Sequence, residues 1–535
     1  MLFISKFKII IIYILFMFAT QINAATNVYY SVGQNTTDHS SGGDVNIVSG
    51  IATFTIPQTA TSLGVGDRLT AGGNIYYIAA KISTSQWYVV TQLGLLPNDL
   101  SSTTVTSIAH EYIHLQDALL GATDSVHVNS KNLVSANVIL NIPCYDDSGP
   151  DTMHVSLNTA SCTTGTNNYI NIYTPYDTLT EVNKRQRHNG IATSGYTLMG
   201  VVSYQYIMVI NLKNPNAFVR IIGLIITSDK TRGVNTALWT ACNAEIAYNI
   251  VHDINPIYGS TCKGIDVGSH YPSNPAPIVH NNICYNIPHS GIQVGTFALY
   301  AKVYNNTTVN NGRYGITVTI DIPMGYLKNN LSCNNGTGDF TPVELNGSYK
   351  TFDYNASSDS TANNFIGTGN RINQTFSFVD YDGNDFRLAP ADTGARDRGM
   401  SDPGAGAFFD DIEGQTRPYG STWDIGADEY LDTTIVKVEG QKRNLANIFS
   451  LQNHPNPANH STIVRFTLKT VQHVSIRLFS LNGRLVETFA DGPFGFSEVQ
   501  NEVVCRFSRN TSAGIYYLRM ESNGLVEVRK IAVIR

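Results

Sequence analysis

The chain has 535 residues, long enough for several domains, and only 14% of them are charged, with a net charge of −6 at pH 7. Gly (44 residues) and Tyr (29) are plentiful beside many Asn, Ser and Thr. This mildly acidic, charge-poor balance excludes a basic surface for nucleic acid and fits an exported β-rich protein.

Residues 1–24 have the layout of an export signal. Lys6 and Lys8 form a positive start, Ile9 to Phe18 an apolar core, and Ile22-Asn23-Ala24 a cleavage site. That run is too short for a membrane span and no later segment is longer, so no transmembrane helix is expected in the mature protein. Residues 25–122 read as an N-terminal cap region. Ile51 to Ile56 and Ile75 to Ile78 alternate like strands, and Gly64-Val65-Gly66-Asp67 reads as a turn. Ser107 to Gly121 is the one predicted helix, with Ile108, Tyr112, Leu115 and Leu119 toward the core.

That segment contains His110-Glu111-Tyr112-Ile113-His114, the spacing with which a helix presents two zinc ligands and a general base. The predicted apolar face puts both His on the solvent side. No third ligand follows, and the next sequence is not a protease domain. His110 and His114 are therefore weak zinc candidates, and a zinc metallopeptidase is a remote alternative.

Residues 123–430 read as one solenoid, in which a short pattern recurs from about Gly223 to Asn335. Lys263-Gly264-Ile265-Asp266-Val267, Ser290-Gly291-Ile292-Gln293-Val294 and Tyr314-Gly315-Ile316-Thr317-Val318 share Gly, Ile, a polar residue and Val. Asn281-Asn282, Asn305-Asn306 and Asn329-Asn330 keep step with them. A coil this short cannot bury its apolar face alone, so coils must stack. Gly is expected at the corner before each strand, and Asn to stack in a turn. The repeat resembles that of right-handed parallel β-helix proteins of the pectate-lyase-like kind, which implies an all-β solenoid. Asp266, Gln293 and Thr317 then form a polar outer column with Tyr285, Tyr304 and Tyr314 nearby; Lys302 and Arg313 are further candidate binding residues.

Near the end of the solenoid, Asp385-Phe386-Arg387-Leu388-Ala389-Pro390 and Asp424-Ile425-Gly426-Ala427-Asp428-Glu429 follow. They resemble the closing segment of many bacterial β-helix proteins. Asp380, Asp382 and Asp385 are weak Ca²⁺ candidates through hard oxygen ligands, although no complete EF-hand loop is present.

A linker, 431–447, leads to residues 448–535. There Pro455-Asn456-Pro457, Gly483-Arg484, Gly514-Ile515-Tyr516-Tyr517-Leu518-Arg519 and a basic, apolar finish stand in order. Short alternating strands joined by Asn-Gly predict an immunoglobulin-like sandwich. The block resembles the type A C-terminal sorting domain of the type IX secretion system, the outer-membrane exporter of the Bacteroidetes. The resemblance implies that the secretion machinery is its partner and that the protein is released or held at the cell surface. Among seven cysteines, Cys144–Cys162 and Cys242–Cys262 are the pairs to test for disulfides.

For the solenoid, polysaccharide binding or adhesion is the first expectation, with no cofactor required and Ca²⁺ as a candidate ion. The alternative is a polysaccharide lyase or glycoside hydrolase. It would use Asp253 or Asp266 with Lys263, Lys302 or Arg313 in a groove. The carboxylates do not recur at the coil spacing, so no catalytic residue is assigned.

Overall fold

The computed structural model describes residues 25–432, apart from 158–161, 202–207, 215–216, 230–235, 242, 257–261, 269–275, 296–299, 320–324, 342–349, 365–366 and 405–406. It also describes residues 452–534, apart from 455–457, 467–471, 481–483, 495–500, 509–510 and 523–524. The predicted signal 1–24 and all but the start of the linker 431–447 lie outside the described residues. The chain divides into two compact units, Met1–Leu431 and Asp432–Arg535.

The first unit is built on a parallel β-helix of three sheets, one of nine strands and two of seven among the described residues. One coil shows the plan: Ile278–His280 in sheet I, Ile283–Tyr285 in sheet II and Ser290–Val294 in sheet III. Alternate side chains point inward. Val279, Cys284 and Ile292 are fully buried, and the same positions in other coils extend one continuous core. Cys144 and Cys162 belong to this core as free thiols, so the pairing proposed for them does not form. Cys242 is outside the described residues.

The turn from sheet I to sheet II explains the double asparagine. The first residue takes a left-handed backbone, with φ of 51° at Asn281, 48° at Asn305 and 57° at Asn329. Asn tolerates this conformation better than most L-residues. The second points inside and is fully buried. Asn249 Nδ2 donates to Asn282 Oδ1, Asn282 to Asn306, Asn306 to Asn330 and Asn330 to Asn355, at 2.9–3.0 Å. Each acceptor oxygen also takes the backbone N–H of the preceding rung. A shorter ladder joins Asn311 to Asn335 at 2.8 Å.

The repeated Gly has a different reason from the corner expected. Gly264, Gly291 and Gly315 lie inside strands and have no positive φ. A Cβ on Gly291 would stand 3.0 Å from the Gly315 carbonyl oxygen and 2.9 Å from Asn311 Nδ2. Close approach between coils excludes a side chain there.

The N-terminal region departs from the sequence reading in two ways. Strand β1 (Thr26–Tyr29) already belongs to sheet I, pairing in parallel with Val138–Pro143. Between them is a closed antiparallel barrel. Its strands are β2 (Asp44–Val48), β3 (Ile51–Phe54), β4 (Arg68–Ala71), β5 (Asn74–Ser83), β6 (Gln86–Val90) and β7 (Leu100–Ala109). Its core holds Ile47, Leu69, Ile78, Trp87 and Ile108. The predicted helix 107–121 shrinks to Leu115–Gly121, because Ser107, Ile108 and Ala109 pair with β4. The Ser-, Thr- and Val-rich run preceding them favours a strand, and barrel closure decides it.

Residues 376–430 return along the outside of sheet II. Phe386, Leu388, Ile412, Ile425 and Ala427 pack against Ile250, Ile283, Val309 and Leu331. The outer asparagines hold this cover: Asn281 Nδ2 donates to the Asp410 carbonyl at 2.8 Å, and Asn305 Nδ2 to those of Asp424 and Gly426. Within it, Arg417 is paired with Glu429 at 2.9 Å, both side chains almost wholly buried. Its guanidinium also donates to the carbonyls of Gly426 and Ala427. A pair so desolvated is tolerable only with its donors satisfied in this way.

The second unit is a sandwich of a three-stranded and a four-stranded antiparallel sheet. Phe466, Val474, Leu478, Cys505, Leu518 and Ile531 are among the residues of its core.

Asn306→Ala removes one rung and leaves buried amide and carbonyl groups of two coils unpaired. It should destabilise the solenoid by roughly 3 kcal/mol or more, measured by urea unfolding. A cost near that of a surface substitution would show that the ladder does not support the coils.

Candidate functional site

The expected outer column forms in register on sheet III: Asp266 pairs with Gln293, and Gln293 with Thr317. One coil earlier the same column holds Trp239, which pairs with Asp266, and before that Asn211. The adjoining Leu238, Ile265, Ile292 and Ile316 fill the core, which turns the column outward. It is recessed: Asp266 is only 6% exposed.

Two polar chains run through this face. Lys263 Nζ lies 2.9 Å from Asp266 Oδ2, and Gln293 Nε2 donates to Asp266 Oδ1 at 3.3 Å. Burial raises the Asp266 pKa, while Lys263 and Gln293 pull it back. Beside them Arg313 Nη1 stands 3.1 Å from His289 Nε2, His289 Nδ1 is 2.8 Å from Ser290 Oγ, and Ser290 Oγ is 2.8 Å from Thr317 Oγ1. Burial, then Arg313 and Lys263, lower the His289 pKa, so the ring is neutral at neutral pH. Arg313 can only donate, so Nε2 accepts and Nδ1 carries the proton. His289 therefore donates to Ser290 and does not activate its hydroxyl.

The other candidates are scattered. Lys302 is on sheet I, between Ile278 and Tyr326. Tyr285 lies buried under the cover of sheet II, and Tyr304 packs with Phe408 and Trp423, so neither flanks the column. Asp253 sits in a left-handed turn, accepting from Asn286 Nδ2 at 2.9 Å. Asp380 accepts from Gly383 N across a hairpin turn, Asp382 is exposed, and Asp385 grips Arg387 at 2.6 and 2.8 Å. The oxygens of these three do not gather within one ion's reach among the described residues.

Two other clusters do gather. Asp411, Glu413 and Asp428 crowd within the cover. Burial pushes Asp411 up to about 7, and burial with the neighbouring carboxylates pushes Asp428 well up. Their oxygens already accept from the backbone of Gln415, Glu429 and Leu388, so the cluster ties the cover together.

The second cluster, His39, Asp67 and His110, corrects the reading of His110 and His114. Neither lies within a helix, and His110 is buried, whereas the His114 side chain stays partly exposed. Tyr112 N–H donates to the Ser31 carbonyl and the Tyr112 carbonyl accepts from Gly33 N–H, the residues beside it bend, and His114 is the N-cap of the short helix. His110 is 1% exposed; its Nδ1 meets Asp67 at 2.7 Å and its Nε2 meets Asp147 at 3.1 Å. His114 turns to Asp151 at 2.9 Å, and Glu111 to His127 at 3.2 Å. The two imidazoles thus serve separate carboxylates. His110 joins the barrel, through Asp67, to the first coils, through Asp147.

Residues 452–534 match the family model of the secretion system C-terminal sorting domain. The second unit is this sorting domain, and it directs the protein to export through the type IX secretion machinery. The protein is secreted, and no helix among its described residues is long and apolar enough to cross a membrane. No curated protein matches the chain. Among solved structures the chain is similar to the pectate lyase Pel9A, with 12% identity over 55% of this chain and 88% of that one, at a TM-score of 0.29.

Burial alone would lower the His110 pKa, but Asp67 and Asp147 outweigh it and push it up to about 9 from 6.5. The folded imidazole keeps its proton where the unfolded one loses it. Its contribution is therefore complete below pH 6.5 and is lost as pH rises through about 9. His110 and the neighbouring His39 hold Asp67 below the usual carboxylate range against its burial, and that contribution fades only in acid. The melting temperature should fall from about pH 6.5 to about pH 10, and His110→Gln should flatten that slope. An equal slope in both proteins would remove His110 as its source.

Proposed function

We propose that the solenoid of this secreted protein binds polysaccharide along the outer face of sheet III. The observation that carries this reading is the in-register column Trp239, Asp266, Gln293, Thr317, an aromatic ring followed by hydrogen-bonding groups on successive coils. Parallel pairing sets such groups about 4.8 Å apart along the axis. A hydroxyl-rich chain lying along the axis meets a donor or acceptor at each step, and the indole supplies a flat apolar surface for sugar C–H groups. Sheet II cannot serve, because residues 376–430 cover it.

The same geometry favours binding over turnover. A Ca²⁺-assisted lyase needs clustered carboxylates and a free base. In the column Asp266 is flanked by Trp239 and Gln293, and Lys263 is committed to it as an ion partner. Arg313 is directed to His289.

A glycan array of the full chain, with and without Ca²⁺, tests the reading. At least one polysaccharide should bind without release of unsaturated products absorbing in the ultraviolet. Trp239→Ala should weaken that binding tenfold or more, about 1.4 kcal/mol. Ultraviolet-absorbing products would make the protein a lyase. Equal affinity of the variant would move the site off sheet III.

A further inference from the structure

Three segments far apart in sequence meet where the barrel joins the solenoid. His39 precedes β2, Asp67 stands directly before β4, and His110 directly follows β7. The His39 N–H donates to the Ile108 carbonyl at 2.9 Å, which seats this residue beside β7. Gly64 N–H donates to Asp67 Oδ2 at 2.9 Å. The Tyr145 ring stacks on His110 with 4.5 Å between centres, and a Cβ on Gly33 would stand 2.2 Å from His110 Cδ2, so the imidazole has little room to turn.

Each imidazole presents one nitrogen to the same carboxylate. His110 Nδ1 lies 2.7 Å from Asp67 Oδ1 and His39 Nε2 lies 3.2 Å from Oδ2. The three groups bring their donor atoms within 4.8 Å of one another. Bonds of about 2.1 Å to one ion would draw this set together with small side-chain movements. An outer partner is in place as well. Asp147 Oδ2 stands 3.1 Å from His110 Nε2, and Asp147 itself accepts from the N–H groups of Gln34 and Asn35 at 2.9 and 3.1 Å. A carboxylate on the far nitrogen is how a metal-ligating imidazole is oriented, with its proton at Nε2 and its lone pair at Nδ1. The charges agree. Asp67 and Asp147 bring two negative charges into one buried knot, and a proton on His110 offsets one of them. A divalent cation held by neutral imidazoles offsets both. Two imidazoles with one carboxylate suit zinc, whereas Ca²⁺ and Mg²⁺ take oxygen ligands.

We propose that His39 Nε2, His110 Nδ1 and the Asp67 carboxylate bind one zinc ion, which fastens the barrel to the first coils through Asp147. Both Asp67 oxygens face the set, so the carboxylate can supply two of four positions and close the site. Asp67 and His110 are fully buried at their side chains, and His39 is 8% exposed there, which keeps substrate away and makes the ion a structural one. In the metal-free protein the proton on His110 holds the same place. His114, the other half of the expected pair, is turned to Asp151 and takes no part. The site is independent of the polysaccharide reading of sheet III.

The test is the metal content of the untagged full chain, produced with zinc in the growth medium, freed of loose ions by gel filtration and read by mass spectrometry. Loading during synthesis reaches a site that is sealed in the folded protein. The wild type should retain about one zinc per chain. Its melting temperature should exceed that of protein produced in zinc-depleted medium, since an ion bound only to the folded state stabilises it. His39→Ala removes the least buried ligand and should lower the zinc content about fivefold or more and abolish the zinc-dependent rise. His39→Gln keeps a polar side chain of similar reach and should lose zinc too, which covers an alanine variant that folds poorly. His114→Ala should keep its zinc. Wild-type protein without zinc would overturn the proposal. So would unchanged zinc content in both His39 variants, or its loss in His114→Ala.

Discussion

A parallel solenoid must turn its backbone at each corner of every coil without leaving buried amides unpaired. Here the turn from sheet I to sheet II meets that constraint with two adjacent side chains of the same type. One Asn accepts the left-handed backbone, and the next buries its amide and bonds to the coil above. The regular coils from Asn249 to Asn355 are joined through this corner. The ladder fixes the coil-to-coil register, and the register places Trp239, Asp266, Gln293 and Thr317 in one line.

The outer asparagines extend that logic from stability to surface. Because Asn281, Asn305 and Asn329 project from the corner, they can grip the backbone of the returning segment at Asp410, Gly426 and Met400. The apolar outer face of sheet II is thereby sealed, with the Arg417–Glu429 pair buried within the cover. The outward polar groups are left to sheets I and III, which present unlike chemistry. Sheet III carries linked polar chains, whereas on sheet I Asn243 buries an amide that has no partner among the described residues.

The repeat of Gly and Asn was legible because backbone geometry forces those residue types at a fixed spacing. The column followed from it, but only as far back as Asp266. Trp239 was missed because its strand, Thr236–Thr240, has no Gly at the usual place, although 27 residues separate it from Asp266 as they separate Asp266 from Gln293. The barrel was hidden for another reason: its closure joins β2 to β7 across the sequence, and no local pattern records that pairing. The apolar residues at 108, 112, 115 and 119 imitate a helical period, yet Ile108 is drawn into the barrel. Resemblance marked residues 424–429 as a closing segment, but the face they cover depends on contacts far away in sequence.

The barrel interrupts the solenoid between β1 and Val138–Pro143, so the first two rungs of sheet I come from chain ends separated by the whole of residues 30–137. Closing so long a loop from an open coil is entropically unfavourable, and a folded guest shortens the search. With the barrel folded, the ends of this insertion are held close, and Thr26–Tyr29 lies beside Val138–Pro143 as the first edge of sheet I. The insertion thus shortens the loop that the first pair of sheet I strands must close.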